Sequence, residues 1–243
     1  MELRGRPLRG GRAEGIVRLG PAHGDAVRRS ILALRTLSEF PVPGDVVSPA
    51  ALVSERSGNR RRGWACPVVS GIPIDSLRPG DRVRVDGDRG VLELPGVREV
   101  PVVTAFLQRP DRRILLLRRS RRVGSFQGRW SAVSGTLESG SVLSNAFREI
   151  QEETGIGPED LRLASRGHVV RVRDGPRLYS VHPLRFLTRA GRIRLNWENI
   201  RSAWVGPSGI ARQPSVPALY AAWASVRPTP GQPAAPGSVG EKP

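Results

Sequence analysis

Hydrophobic and polar positions alternate over short distances in the first part of the chain. Up to about residue 98 the apolar residues stand in short runs separated by glycines, which is typical of short strands and turns. The clearest alternation lies in Arg82–Val85 and Val91–Leu94, on either side of a glycine-containing turn, and it predicts a β-hairpin. The apolar residues between Ala26 and Leu37 instead fall near helical spacing, so this stretch is predicted to be a helix.

A second part, from about Pro101 to Val226, combines longer apolar runs with helical patterns. Strands are predicted at Val102–Leu107, Ile114–Leu117 and Leu178–Phe186, and helices at Ser141–Thr154 and Pro217–Val226. Because strands and helices alternate here without an internal repeat, we expect an α/β or α+β domain.

The end of the chain has a different composition again. Residues 227–243 contain many prolines and few apolar side chains, which predicts a disordered tail. The sequence therefore predicts a β-rich domain over residues 1–98, a second domain over residues 99–226, and the tail.

Composition narrows the class of protein. With 243 residues, 38% of them hydrophobic, the chain is long enough for one large domain or two small ones. It contains no run of about 18 apolar residues, so we expect neither a membrane span nor a membrane partner. The N-terminal residues lack the apolar core of a secretory signal, and the single cysteine, Cys66, has no partner for an internal disulfide. These features predict a cytoplasmic protein.

The formal net charge of +17 raises the question of a nucleic-acid partner. Lys242 is the single lysine among 39 lysines and arginines, and the arginine excess accompanies 28 glycines and 22 prolines. This combination is typical of a GC-rich genome, so it needs no selection for polyanion binding, although a basic surface still attracts phosphates. Aromatic residues make up only 5% of the chain, and no RNA-binding motif is recognised. An RNA- or polyphosphate-binding protein is therefore the weaker alternative.

The helix predicted at Ser141–Thr154 has an apolar side and an acidic side. Glu149, Glu152 and Glu153 stand at positions i, i+3 and i+4 and therefore share one face. Carboxylates so close together repel one another unless a cation compensates them, and Mg²⁺ prefers such oxygen ligands. The alternative is an ordinary amphipathic helix with a solvated acidic face, and the spacing alone leaves both interpretations open.

Four segments of the second part carry a more specific pattern. Arg148–Ile156 (REIQEETGI) has the form R-E-U-x-E-E-x-G-U with U aliphatic, and Gly135–Gly140 has the form G-x-x-E-x-G. These segments resemble the two halves of the box that defines the Nudix hydrolase family. Gln127–Trp130 is similar to the G-x-W segment that commonly precedes the box, and Trp197–Val205 is similar to the late strand E-x-x-x-x-x-W-V. The resemblance covers about residues 100–226, over half of the chain.

The resemblance implies an α+β fold in which a mixed sheet lies between helices, an α/β/α sandwich. It implies that Glu149, Glu152 and Glu153 bind Mg²⁺ or Mn²⁺. It also implies a catalytic role for Glu152, Glu153 and Arg148, the last of which pairs with a carboxylate and orients it.

The activity that the resemblance implies is hydrolysis of a diphosphate bond. The substrate would be a small anionic molecule, a nucleoside-diphosphate-linked compound or a related one. In such a site the metal neutralises phosphate charge and can activate a water molecule. The oligomeric state stays open, with a homodimer as one alternative.

The box departs from the family pattern. The spacing from Gly135 to Arg148 is one residue short, Ser141 stands where the family has a glutamate, and Ser134 replaces the first of two glycines. One usual carboxylate is therefore absent, which leaves a non-catalytic nucleotide-sensing or regulatory module as the alternative function. Glu138 lies close enough in the sequence to compensate for the missing carboxylate, or to brace the loop.

Residues outside the box supply further candidates. The catalytic base varies in position within the family, so it is not assigned; Glu198 is a candidate, with a structural glutamate at a strand end as the alternative. Eight arginines lie between residues 109 and 129, and arginine suits bidentate recognition of phosphate. Arg118, Arg119 and Arg129 are therefore candidate substrate-binding residues, unless this hairpin merely carries solvated charges.

The first part of the chain carries a second resemblance, based on short glycine-containing segments. Gly11–Gly15, Gly44–Val47, Gly71–Pro73 and Gly80–Gly87 are similar, in this order, to the swivelling β/β/α domain of phosphoenolpyruvate-utilising enzymes. They are equally similar to the small subunit of aconitase-X-like dehydratases. Residues 50–75 contain no histidine, so phosphohistidine chemistry is not expected, and a binding or positioning role remains.

Overall fold

The computed structural model describes residues 1–21, 27–40, 48–58 and 64–228. The chain divides into two compact units. One consists of Met1–Glu99 with Arg171–Tyr179, and the other of Val100–Val170 with the chain from Ser180 onward. Two features of the sequence, the segment Gly44–Val47 and the predicted tail beyond residue 228, lie outside the described residues.

The first unit is built on a β-sheet, in agreement with the β-rich region that its sequence predicts. Its strands are β1 (Glu2–Arg4), β2 (Arg6–Arg9), β3 (Arg12–Leu19), β4 (Ser30–Thr36), β5 (Ala51–Arg56), β6 (Val68–Ser70), β7 (Arg82–Asp86) and β8 (Val91–Glu93). They are ordered β1-β8-β7-β3-β4-β5-β6-β2, and β3, β4, β5 and β6 pair in parallel. The predicted hairpin is confirmed, because β7 and β8 pair antiparallel with Val85 opposite Leu92. The resemblance to a swivelling domain stays a prediction.

The predicted helix over Ala26–Leu37 is wrong, because Ser30–Thr36 is the strand β4 in the middle of this sheet. All four residues from Ile31 to Leu34 are buried. Ile31 and Ala33 belong to one core cluster and Leu32 and Leu34 to another, so each face of the strand has its own core. A strand that is buried on both faces reads as a continuous apolar run, and a helical spacing can be picked out of such a run by chance.

Residues 171–179 belong to the first unit, although the sequence assigns them to the second domain. Leu178 is fully buried in the core cluster of the first unit, together with Val83 and Leu92. Arg173 forms an ion pair with Asp81 over 3.3 Å, and both side chains are largely buried. These contacts join residues about 80 to 100 positions apart, and no local pattern in the sequence of this segment predicts them.

The second unit contains the strands and helices that its sequence predicts. It contains most residues of the strands β9 (Arg98–Gln108), β10 (Ile114–Arg119), β11 (Trp130–Ser131), β12 (Val133–Thr136), β13 (Leu161–Arg166), β14 (Val170–Asp174), β15 (Arg177–Thr188) and β16 (Asn199–Val205). Residues 98–99 of β9, 171–174 of β14 and 177–179 of β15 belong to the first unit. Its helices are α1 (Val142–Thr154), α2 (Gly209–Arg212) and α3 (Leu219–Val226). The strands β11, β10, β9, β15 and β13 follow one another across the sheet, with β12 paired to β9 and β16 paired to β10. None of the helices in the described residues is long and apolar enough to cross a membrane.

Alternate residues of the central strands face two different helices. Leu115 and Leu117 of β10 share a core cluster with Ile150 of α1. Leu116, between them, belongs to the cluster that contains Trp223 of α3. Because side chains alternate across a strand, the sheet has a helix against each face. The predicted α+β class is confirmed, and α1 is fixed against the sheet by its apolar side.

Candidate active site

The helix α1 carries most of the predicted site residues, and both of its ends are capped. Ser141 is the N-cap, where its hydroxyl accepts a hydrogen bond from the backbone N–H of Ser144 over 3.0 Å. Gly155 follows the last turn in the left-handed conformation, with φ of 70°. The apolar side of the helix, with Ala146 and Ile150 fully buried, packs on the sheet. The packing of α1 on the sheet therefore fixes the position of the turn that carries the three predicted glutamates.

Glu153 is not on a solvated face, because only 3% of its surface is exposed. One carboxylate oxygen accepts a hydrogen bond from the backbone N–H of Ser134 over 3.2 Å, and the other accepts one from Asn199 Nδ2 over 2.8 Å. Burial raises the pKa of Glu153 to about 8, although these two hydrogen bonds act in the opposite direction. Burial of an ionised carboxylate is unfavourable for folding. A buried carboxyl group with a raised pKa, such as that of Glu153, is therefore a candidate functional residue.

Glu149 lies directly against the backbone of β12. A Cβ atom added to Gly135 would overlap the Glu149 carboxylate, so any larger residue here requires the Glu149 side chain to move. Burial raises the pKa of Glu149; the Arg148 charge lowers this pKa, whereas the charges of Glu152, Glu198 and Glu138 raise it further. Glu149 is therefore surrounded by other carboxylates at close range.

Arg148 is the cation that faces these carboxylates. Its guanidinium lies 2.8 Å from Glu149, 3.7 Å from Glu152 and 3.8 Å from Glu138. The contact with Glu149 is the kind of pairing that the family resemblance implies for this arginine. The side chain of Glu152 is 55% exposed, so it is the one of the three predicted glutamates that reaches solvent freely.

Asn145 organises the loop before the helix, and sequence reasoning did not identify it. It is 3% exposed, and its Oδ1 accepts hydrogen bonds from the backbone N–H of Glu138 over 3.3 Å and from Arg148 over 3.1 Å. Its Nδ2 donates to the carbonyls of Ser139 over 3.0 Å and Ser141 over 2.9 Å. The sequence does contain a signal for this role of Asn145. It is a polar residue next to the apolar stripe of α1, three positions before Arg148 and therefore on the same face of the helix.

A further turn brings Glu198 and Asn199 to the same place. Asn199 contacts Glu153 directly, and the charge of Glu198 raises the pKa of both Glu149 and Glu153. Both backbone polar groups of Glu198, the N–H and the carbonyl, form hydrogen bonds. Its N–H donates to Asn196 Oδ1 over 3.0 Å, and its carbonyl accepts from the N–H of Ser120 over 2.7 Å. Glu198 was predicted as a candidate, whereas Asn199 was missed because nothing in the sequence singles out this asparagine.

The predicted substrate arginines hold a loop in this structure. Arg118 Nε donates to the carbonyl of Gly128 over 3.3 Å, and Arg119 Nε donates to that of Ser125 over 3.1 Å. Arg129, in the same loop, is exposed. Within the described part of the chain, no ion pair joins any of the three to the glutamates of α1. Their role in substrate binding stays a prediction.

The carboxylate cluster, defined as Glu138, Glu149, Glu152, Glu153 and Glu198, fits a divalent cation in its chemistry. It supplies only oxygen atoms, and one arginine, Arg148, lies among these glutamates. Hard cations such as Mg²⁺ prefer such ligands. In the described residues, however, no three acidic, histidine or cysteine side chains are arranged as a ready metal site. Glu149 is paired instead with Arg148, and Glu153 accepts hydrogen bonds from Ser134 and Asn199.

Comparison with known proteins gives a family and a set of similar folds. The family model for the NUDIX domain matches residues 98–222. Among solved structures, the MutT protein from Methanosarcina mazei Go1 is 23% identical, covering 53% of this chain and 91% of that one, with a TM-score of 0.46. A Nudix hydrolase from M. smegmatis, RenU, is 18% identical, covering 52% and 81%, with a TM-score of 0.44. A C. elegans Ap4A hydrolase is 15% identical, covering 53% and 94%, with a TM-score of 0.44. No curated protein sequence matches the chain.

Proposed function

Because this chain belongs to the NUDIX domain family, we propose that it is a hydrolase acting on a pyrophosphate bond, with Mg²⁺ as its metal and a nucleoside-diphosphate-linked compound as its substrate. The observation that carries the proposal is the carboxylate cluster. Two of its members, Glu149 and Glu153, are buried at 9% and 3% exposure. Burial of a carboxylate destabilises the fold, so its presence supports a functional role for both residues.

Family members generally use divalent metal ions, and Glu149, Glu152 and Glu153 are the residues that would hold one here. A bound divalent cation neutralises the charge of the diphosphate oxygens and lowers the pKa of a bound water molecule. Arg148 orients Glu149 through a contact of 2.8 Å, and Asn199 fixes Glu153 through one of 2.8 Å. These contacts preserve the orientation of the two buried carboxylates.

Glu198 is our candidate for the general base. Its charge acts on both Glu149 and Glu153, so it belongs to the same cluster. In the part of the chain that the structure describes, no hydrogen bond or ion pair engages its carboxylate, although its backbone is firmly held. A carboxylate with unengaged lone pairs on a fixed backbone has what a base needs to accept a proton.

The test is a screen of dinucleoside polyphosphates, nucleotide sugars and nucleoside triphosphates with Mg²⁺ or Mn²⁺. We expect turnover of at least one class, and a loss of roughly 100-fold or more in kcat/KM for Glu152→Gln, because a metal ligand is removed. Glu152 is exposed, so this variant should fold normally. Glu159→Gln, an exposed glutamate just after α1, is the matched control and should leave the rate unchanged. Absence of turnover, or full activity of Glu152→Gln, would refute a catalytic metal site on α1.

A second candidate function, nucleotide sensing without hydrolysis, is favoured by Ser141. This residue replaces a box glutamate, and its hydroxyl is engaged as the N-cap of α1. A sensing module predicts nucleotide binding by calorimetry in the absence of turnover, whereas rapid metal-dependent hydrolysis would exclude it.

A further inference from the structure

Trp197 is an aromatic side chain in an unusual place. It is 55% exposed, whereas Trp130 and Trp223 of the same unit are 8% and 2% exposed. A tryptophan ring is a large apolar surface, and its exposure forgoes a substantial stabilisation by burial. The exposed ring therefore has apolar area available for contact with a ligand.

The backbone around Trp197 is fixed next to the carboxylate cluster. The following residue, Glu198, is tied to Asn196 over 3.0 Å and to Ser120 over 2.7 Å. The next one, Asn199, donates a hydrogen bond to Glu153 over 2.8 Å. Because two residues of chain span at most about 7 Å, the backbone of Trp197 lies within that distance of the backbone of Asn199, whose side chain contacts Glu153.

Arg122 covers part of the ring. Its guanidinium carbon lies 5.4 Å from the centre of the Trp197 ring, within the range of a cation–π contact. Arg122 belongs to the same loop as Ser120, whose hydroxyl accepts a hydrogen bond from the Arg122 N–H over 3.1 Å. The loop thus brings a positive charge and an exposed aromatic ring together beside a cluster that fits a cation and, through it, phosphate.

We propose that Trp197 is the stacking platform for the aromatic base of the substrate, with Arg122 on the ring beside it, and that it selects base-bearing diphosphates over base-free ones. The inference rests on the proposed function, since it places the base of the same substrate whose diphosphate lies at the carboxylate cluster. Stacking of one base on an aromatic side chain contributes about tenfold or more in affinity. Arg122 strengthens such a stack, because a guanidinium interacts favourably with aromatic faces.

One base, not a run of RNA, is the ligand that this surface fits. A sequence-tolerant surface for single-stranded nucleic acid needs several rings in succession. In the described part of the second unit, the other large exposed aromatic side chain is Tyr220, at 48%. Tyr220 lies on α3, which packs on the opposite face of the sheet from α1. Of these two exposed aromatic side chains, Trp197 is therefore the one that adjoins a residue of the carboxylate cluster, Glu198.

The test measures binding and turnover separately, using ADP and inorganic diphosphate as binding probes, and ADP-glucose and 5-phosphoribosyl diphosphate as substrates. For Trp197→Ala, we expect about tenfold weaker binding of ADP and about a tenfold higher KM for ADP-glucose, with kcat unchanged. Binding of diphosphate and turnover of the base-free substrate should not change. Trp197→Phe keeps a ring and should restore most of the loss. Tyr220→Ala, an exposed aromatic on α3, is the control and should resemble the wild type.

The outcomes separate this inference from the proposed function. If the wild-type protein hydrolyses ADP-glucose and Trp197→Ala leaves its KM unchanged, the stacking proposal is wrong while the hydrolase stands. If no substrate turns over but ADP binds tenfold more weakly to Trp197→Ala, the platform stands and hydrolysis fails. No ADP binding by the wild type, or a loss of affinity in Trp197→Ala for an RNA oligonucleotide but not for ADP, would overturn the proposal.

Discussion

Gly135 shows how one residue of the box supports another through space. Its Cα lies so close to the Glu149 carboxylate that any Cβ would overlap it, although its backbone has no positive φ angle. The glycine is therefore required for the space it leaves and not for its conformational freedom. In this chain, therefore, Gly135 leaves the space that the Glu149 carboxylate occupies.

We expect Gly135→Ala to displace Glu149. The overlap is with a carboxylate that Arg148 holds at 2.8 Å, so the side chain must leave its position. Overpacking of this kind costs roughly 1–3 kcal/mol, which urea denaturation measures, and hydrolysis should fall together with stability. Gly124→Ala is the matched control, because a Cβ there would meet no atom within 4 Å. Equal behaviour of the two variants would contradict the account of Gly135.

Cys66 gives a prediction that depends on pH. The residue is 7% exposed, and burial raises the pKa of its thiol to about 11. The reactive form is the thiolate, whose fraction at pH 8 falls as the pKa rises, so alkylation of the folded protein should be slow there and accelerate as the pH approaches 11. In urea the same thiol should react at the rate of an ordinary cysteine, which mass spectrometry of iodoacetamide adducts measures. Fast labelling of the folded protein at pH 8 would contradict its burial.

The sequence predicted which glutamates share a helical turn, but not what surrounds them. The spacing of Glu149, Glu152 and Glu153 placed them on one turn, because helical geometry is local. It gave no indication that Glu153 is buried and Glu152 exposed, since this depends on Ser134 and Asn199, which are distant in the chain. The contact between Asn199 and Glu153 can be identified only once the fold is known.

At the level of elements, α1 and β4 show where sequence patterns succeed and where they fail. The helix α1 has one apolar side, a serine N-cap and a glycine C-cap, all of which are local signals. The strand β4 has core on both faces, and its pattern of apolar residues is continuous. Without alternation, the period of the pattern carries no information about which structure forms.

Two substitutions in β4 distinguish a strand from a helix in this segment. Leu32 lies off the helical stripe that Ile31 and Leu34 share, but it is fully buried in the structure, as is Ile31. We therefore expect Leu32→Ala and Ile31→Ala each to lower the free energy of unfolding by roughly 2–5 kcal/mol in urea denaturation. A helix with one buried face would lose stability only in Ile31→Ala. A negligible effect of Leu32→Ala would therefore contradict the two-faced core around β4.

At the level of the whole molecule, a net charge of +17 contrasts with an acidic functional centre. The chain is basic throughout, yet the second unit concentrates the carboxylate cluster around one arginine, Arg148. Long-range attraction of an anionic substrate and local binding of a cation are therefore compatible in one protein, because the first depends on total charge and the second on neighbouring atoms.

The surface charge predicts that any affinity for RNA depends strongly on salt concentration. Any affinity for an RNA oligonucleotide should fall steeply between about 50 mM and about 200 mM salt, because it arises from release of counterions. Fluorescence anisotropy with labelled RNA over this range measures the slope. RNA affinity that does not change with salt would contradict an electrostatic origin of the binding.

The proposed hydrolysis depends on binding of a divalent cation by the carboxylate cluster, three of whose glutamates lie on α1. Calorimetric titration of the protein with Mn²⁺, without nucleotide, tests it most directly. We expect one ion per chain in the wild type and in Glu159→Gln, and an affinity at least about tenfold lower in Glu152→Gln, because one carboxylate ligand is lost. Absence of Mn²⁺ binding by the wild type, or equal affinity in Glu152→Gln, would contradict this role of the cluster.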